Sequence, residues 1–279
     1  MIRVRELTKK YGDFKALDSV SFDVNNGEIL GFLGPNGAGK STTMKIITCF
    51  MPPTSGTVEV DDFNIYEHSM EIRKRIGYLP ETNPLYYNMY VLDYLNFVAE
   101  IRKIPKEKRK ERLDYVIDTC GLAAALTKDI GTLSRGYRQR VGLAQTLIHD
   151  PEILILDEPT LGLDPNQIIE ITDLIKKIGK EKTVMVSTHI LPWVQSTCDR
   201  VVILNHGRVV ADDTFENLRS KYQNPENVTL ETIFHDLTIK NIKVDELGRT
   251  TGTTQNVLYD EKDSTSNPNS ASSEGGEQR

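Results

Sequence analysis

Nine consecutive residues, Gly34-Pro35-Asn36-Gly37-Ala38-Gly39-Lys40-Ser41-Thr42, leave this chain little choice of local structure. They follow the apolar run Ile29-Leu30-Gly31-Phe32-Leu33 and open a helical run from Thr43 to Phe50. Glycines in such a loop let successive N–H groups point inward, and the helix beginning near Lys40 adds the positive end of its dipole. Lys40 brings a full charge, and the Ser41 hydroxyl is suited to Mg²⁺. Every fixed position of the pattern G-x-x-x-x-G-K-[ST] stands in a strand, loop and helix context, which predicts a phosphate cradle for a nucleotide.

Charge narrows the partners. The net charge is −6, whereas binding to a phosphate backbone needs a basic surface, so nucleic acid is not expected as the main partner. The 279 residues allow one large or two small domains, with 38% hydrophobic and 27% charged residues as in ordinary globular chains. Apolar runs such as Ile153 to Leu156 fall far short of the ~20 residues that a spanning helix needs. Met1-Ile2-Arg3-Val4-Arg5 reads as a strand and not as an apolar leader, so a cytosolic chain is expected. Cys49, Cys120 and Cys198 are scattered, without a C-x-x-C pair, and are expected to serve as small buried hydrophobes.

In chain order, Ile2 to Leu7 and Val20 to Val24 predict strands of a small antiparallel sheet, with a turn near Gly12-Asp13. Tyr11 at that turn either stacks on a purine or covers the hairpin; the residues alone do not choose. Gly56 to Val60 returns as a strand, Glu67 to Arg75 reads as a helix and Ile76 to Leu79 as a short buried strand. From Pro84 to Asp150 the character turns mainly helical, with Leu113, Val116 and Ile117 at helical spacing. The charge run Lys106 to Arg112 is expected to be the solvated face of that helix, with a basic contact to lipid or a partner as the minor alternative.

Glu152-Ile153-Leu154-Ile155-Leu156 and Lys182 to Thr188 read as central parallel strands buried on both faces, so the fold class is α/β. They end in Asp157-Glu158 and in His189. In open α/β sheets ligands lie beyond the carboxyl ends of the strands, which lets cradle, carboxylates and histidine converge. Asp157 is the expected Mg²⁺ partner of Ser41, Glu158 the base that orients and deprotonates water, and His189 a donor to the γ-phosphate. Ser134 is an expected N-cap for a helix running to Ile148, which makes a second anion-binding helix start. Leu230, Ile233, Phe234 and Leu237 form an apolar stripe expected to pack locally, and Glu261 to Arg279 is expected to be disordered.

Taken in order from Tyr11 to His189, these motifs resemble those of the ATP-binding subunit of an ABC transporter, over roughly residues 1 to 215. That resemblance implies a P-loop NTPase with a RecA-like parallel core, an antiparallel β subdomain and an α-helical subdomain at about residues 84–150. Residues 216–260 would then be a short C-terminal extension and 261–279 a tail. It implies ATP and Mg²⁺ as cofactors and a head-to-tail dimer, with itself or a related subunit, that sandwiches two ATP molecules. By motif, Gly34, Pro35, Asn36, Gly37, Ala38, Gly39, Lys40, Ser41 and Thr42 would bind phosphates and Tyr11 would stack on adenine. Asp157 would serve Mg²⁺, Glu158 would be the catalytic base and His189 the switch histidine. Ser134, Arg135, Gly136 and Tyr137 would form the signature turn that reaches the partner's γ-phosphate, and Asp164 would lie in the dimer-contact loop Leu161-Gly162-Leu163-Asp164.

Two departures mark this chain. Leu133-Ser134-Arg135-Gly136-Tyr137 stands where the family has Leu-Ser-Gly-Gly-Gln, and Glu81 stands where a glutamine usually approaches Mg²⁺. Both variants, and the segment Leu230 to Thr238, resemble the ABC-2 exporters of the gliding-motility and multidrug type. The implied role is to power a separate integral membrane permease from the cytoplasmic face, in export. The rivals are a soluble ABC-type ATPase acting on nucleic acid or ribosomes, and an ATP-gated clamp with little hydrolysis.

Overall fold

The computed structural model describes residues 1–222 and 225–240. The expectation for 261–279, and that for the extension beyond residue 240, fall outside the described residues.

Two sheets divide the strands. Strands β1 (Ile2–Tyr11), β2 (Phe14–Val24), β4 (Ser55–Val60) and β5 (Phe63–Asn64) form an antiparallel sheet in the order β2-β1-β4-β5. Strands β3 (Ile29–Leu33), β6 (Ile76–Leu79), β7 (Ile153–Asp157), β8 (Thr183–Ser187), β9 (Arg200–Asn205) and β10 (Arg208–Asp213) form the other, in the order β10-β9-β3-β8-β7-β6. Its pairs are parallel except β9 with β10, joined by the tight turn His206-Gly207. The α/β class follows, with the long apolar strands at the centre as their composition requires.

Side-chain alternation splits the core in two. Along β7, Leu154 and Leu156 face one cluster while Ile153 and Ile155 face the other. Along β9, Val201 and Ile203 oppose Val202 and Leu204 in the same way. The first cluster takes in helices α3 (Val91–Ile101), α4 (Lys106–Thr119), α5 (Arg135–Leu147), α6 (Pro165–Gly179), α7 (Leu191–Thr197) and α9 (Leu230–His235). The second joins α1 (Lys40–Ile47) and α2 (Ser69–Arg75) to the antiparallel sheet. A one-residue slip in β7 would exchange its two faces, and the pairing with β8, which sets Asp157 opposite Ser187, fixes where Asp157 emerges. Helix α8 (Phe215–Ser220) follows β10.

The charge run on α4 is not wholly solvated. The Arg112 guanidinium donates to the carbonyls of Leu147 and Ile148, 2.8 and 3.1 Å away, and Arg109 donates to the Ile104 carbonyl. These carbonyls lie at the end of α5, where a partly buried cation is favoured by the negative end of the helix dipole. Of the cysteines, Cys120 is buried, whereas Cys49 and Cys198 are only partly so. Among the described residues no helix is long and apolar enough to cross a membrane.

Candidate functional site

Helix α1 begins at Gly39, whose φ of 107° lies in the left-handed region. A Cβ there would come within 2.8 Å of the Ala16 carbonyl oxygen, so only glycine closes this turn. No side chain caps α1, which leaves its first amides facing the loop. Lys40 is buried, and its ammonium donates to the carbonyls of Gly34 and Pro35 at 2.7 and 3.3 Å. Burial lowers its pKa below the ordinary lysine value, opposed by the carboxylates of Glu158, Asp157 and Glu81. A desolvated cation beside the uncapped start of a helix is suited to a polyanion.

Parallel pairing sets Asp157 opposite Ser187 at the ends of β7 and β8. The Ser187 hydroxyl donates to Asp157 Oδ1 at 2.5 Å and accepts from the Glu158 amide at 3.0 Å. The Ser187 carbonyl also accepts from that amide, at 3.1 Å. Glu158 is thereby held with φ 49°, a left-handed conformation that a glutamate seldom adopts. Its Oε2 lies 2.9 Å from His189 Nδ1. The glutamate side chain is 11% exposed and the histidine 58%, so the pair spans the boundary between protein and cavity.

One cavity of about 820 Å³ gathers these groups. Gly34, Pro35, Asn36, Gly37, Gly39, Lys40, Ser41 and Thr42 line it, as do Tyr11, Glu81, Asp157, Glu158 and His189. Ala38 does not; its side chain packs in the core beneath the loop. The Tyr11 hydroxyl contacts Met51 Sδ at 3.2 Å, and the Lys9 ammonium sits 5.4 Å from its ring centre. Ser41, Asp157 and Glu81 bring hard oxygen donors to the cavity.

The signature turn lies elsewhere. Ser134 caps α5 by accepting from the Tyr137 amide, and both residues are exposed. The Arg135 guanidinium covers Gly162, where a Cβ would meet it at 2.4 Å, and Gly136 packs on the side chain of Gln167. Asp164 accepts from the Gln167 amide and so caps α6. Among the described residues, none of Ser134, Arg135, Gly136, Tyr137 and Asp164 lines the cavity of its own chain.

Sequence reasoning assigns no role to Ser187, although a serine paired across strands with Asp157 is the signal that would have found it. It also misses Phe14, Ala16, Leu161 and Phe234 in the cavity wall.

The profile of the ABC transporter family matches residues 17–161. The bacitracin transport ATP-binding protein BcrA of Bacillus licheniformis is 39% identical over 223 residues, covering 79% of this chain and 72% of that protein. The chain belongs to the ABC transporter family. As an ABC ATP-binding subunit it is an ATPase that binds ATP. Its cassette resembles a solved ATP-binding subunit of an ABC transporter with a TM-score of 0.77 and 29% identity, over 85% of this chain and 99% of that one. A dimeric, post-hydrolysis ATP-binding cassette bound to ADP and Pi superposes with a TM-score of 0.70 and 28% identity, over 77% of this chain and 98% of that one.

Proposed function

We propose that this ABC ATPase works as a head-to-tail pair that powers a separate membrane permease of the ABC-2 export type, from the cytoplasmic face of the membrane. The observation that carries the chemistry is the convergence of Lys40, Asp157, Glu158 and His189 on one cavity. Glu158 accepts the proton of the attacking water, and His189, held against its carboxylate, is placed to donate to the γ-phosphate. Lys40 and the open amides of α1 offset charge on the phosphates, and Tyr11 stacks on the adenine.

Among the described residues no group of three or more His, Cys, Asp and Glu forms a metal site by itself. That donor set fits Mg²⁺, which takes one or two protein oxygens and completes its shell with phosphates and water. Ser41 and Asp157 would hold it, with Glu81 nearby, and the ion would supply charge neutralisation at the leaving group. Ser187 keeps Asp157 oriented for that task.

The exposed signature turn supports pairing. Ser134, Arg135, Gly136 and Tyr137 have no role in their own cavity and suit the γ-phosphate of a second copy or a related subunit, with Asp164 beside that contact. A permease segment fits a separate cleft of about 530 Å³, lined by Phe50, Tyr86, Tyr94, Phe97, Ile101 and Arg102. Phe50 and Ile101 expose 72% and 60% of their surface there, an apolar excess that a partner would bury. The Glu81 loop is also tied to the signature helix, since Asn83 donates to the Arg138 carbonyl at 3.3 Å and accepts from Gln145 at 3.0 Å. Pressure in the cleft would therefore reach α5.

Two experiments test this. Size-exclusion chromatography in ATP and Mg²⁺ should move Glu158→Gln to a dimer that wild type forms only transiently. Native purification in mild detergent should retain a membrane protein, and purification without one refutes the transport role.

A further inference from the structure

The C-terminal segment belongs to no motif of the phosphate chemistry, yet one of its side chains reaches the ATP cavity. Phe234 lines that cavity together with Gly34, Pro35 and His189. Its neighbours Leu230 and Ile233 are 0% and 1% exposed, in the same core cluster as Trp193 and Val194 of α7. Helix α9 packs directly on α7, the helix that follows His189. On the other side, Asn205 at the end of β9 donates to the carbonyl of Thr238 at 3.2 Å. The Thr238 hydroxyl in turn donates to the Phe234 carbonyl at 2.6 Å. Strand β9 pairs with β3, which leads into the phosphate loop.

We propose that Phe234 is an ATP-site residue supplied by the C-terminal segment, and that it positions α7 so that ATP occupancy and the setting of His189 depend on each other. The ring is half-buried: one part is held by the core, and the rest faces the cavity. An aromatic edge there excludes water without offering a competing hydrogen bond. The segment is moored to α7 by apolar packing and to β9 through Asn205, so a ligand pressing on Phe234 acts on both moorings. This rests on the cavity being the ATP site.

Trp193 is the chain's single tryptophan, lies on α7 and is 6% exposed, so its emission reports α7 without a label. The full chain, Phe234→Ala and Phe234→Leu are titrated with ATP while Trp193 emission and binding of a fluorescent ATP analogue are read. Phe234→Ala should weaken ATP binding about fivefold, the effect of losing a half-buried aromatic contact. It should also flatten the Trp193 response, with a nucleotide-free melting temperature within about 2 °C of wild type. Phe234→Leu should recover most of the affinity. Equal affinity and an equal Trp193 response in wild type and Phe234→Ala overturn the proposal. Should Phe234→Ala not fold, Asn205→Ala cuts the mooring and leaves the ring; unchanged ATP binding and Trp193 response there overturn it as well. A wild type that binds no analogue refutes instead the ATP-site assignment beneath it.

Discussion

Helix α1 starts from a left-handed glycine and leaves its first amides open around a buried lysine, whereas α5 starts from Ser134, whose hydroxyl already accepts from the Tyr137 amide. The first start opens into a cavity that its own chain lines with Lys40, Asp157, Glu158 and His189. The second is exposed, with Arg135 laid over Gly162. Both present a helix dipole to an anion, but only the first supplies the desolvation that makes such a dipole strong. Burial thus separates a start that its own chain already desolvates from a surface that needs a second chain to exclude water. The same division should appear in function: damage at α1 should impair binding by the isolated chain, and damage at α5 should impair only what the pair does.

Four measurements break or sharpen that contrast. Glu158→Gln should reduce steady-state ATP hydrolysis at least about 100-fold while ATP binding persists, because a removed general base costs the chemical step. Loss of binding instead would assign Glu158 to the cradle. Next in size, Lys40→Ala should weaken analogue binding to the monomer by roughly 100-fold, and Ser134→Ala should leave monomer binding intact while lowering turnover about tenfold. Equal effects of the two on monomer binding would erase the distinction.

A smaller effect is expected at the junction of signature turn and contact loop. Gly162→Ala puts a Cβ at φ 68° and against the Arg135 guanidinium. It should cost about 1 to 2 kcal/mol in chemical denaturation, of which Arg135→Gly relieves only the steric part.

An effect of similar size, but one that depends on pH, lies at the far end of α5. His149 is partly buried, and desolvation pushes its pKa from 6.5 down to about 4. Its Nε2 lies 3.1 Å from the Ile76 carbonyl. Because the folded pKa is depressed and the neutral ring is the native form, the unfolded chain binds more protons between pH 6.5 and 4. Stability should therefore fall as pH drops through that window. Between pH 7 and 5 the loss should be roughly 1 to 2 kcal/mol and should vanish in His149→Gln, as thermal melts at the two pH values would show.

What the sequence makes legible is whatever is local. The phosphate loop declares itself through glycine spacing, and the buried strands do so through Ile153 to Leu156, so the α/β fold and the position of Asp157 and Glu158 follow from short windows. Ser187 is hidden because its role depends on registry between β7 and β8, a pairing thirty residues apart in the chain. Phe234 is hidden for a related reason: helical spacing shows an apolar stripe, but which side chain turns toward the cavity depends on how α9 lies on α7. The charge run on α4 is largely solvated as expected, but arginine can serve carbonyl groups at another helix's end as well as water, and Arg112 does so at the end of α5.

The left-handed backbone of Glu158 carries a consequence for heritable change. A glutamate there costs about 1 to 2 kcal/mol relative to a residue at ease in that region, and the two bonds from its amide to Ser187 hold it in place. Glycine would release that energy and keep both bonds, since they come from the main chain. With Glu158 as the proposed base, lineages screened only for heat tolerance should thus drift toward a sturdier chain that has lost hydrolysis. A glutamate at this position stands against the preference of the fold, as a residue kept for the proposed proton transfer would.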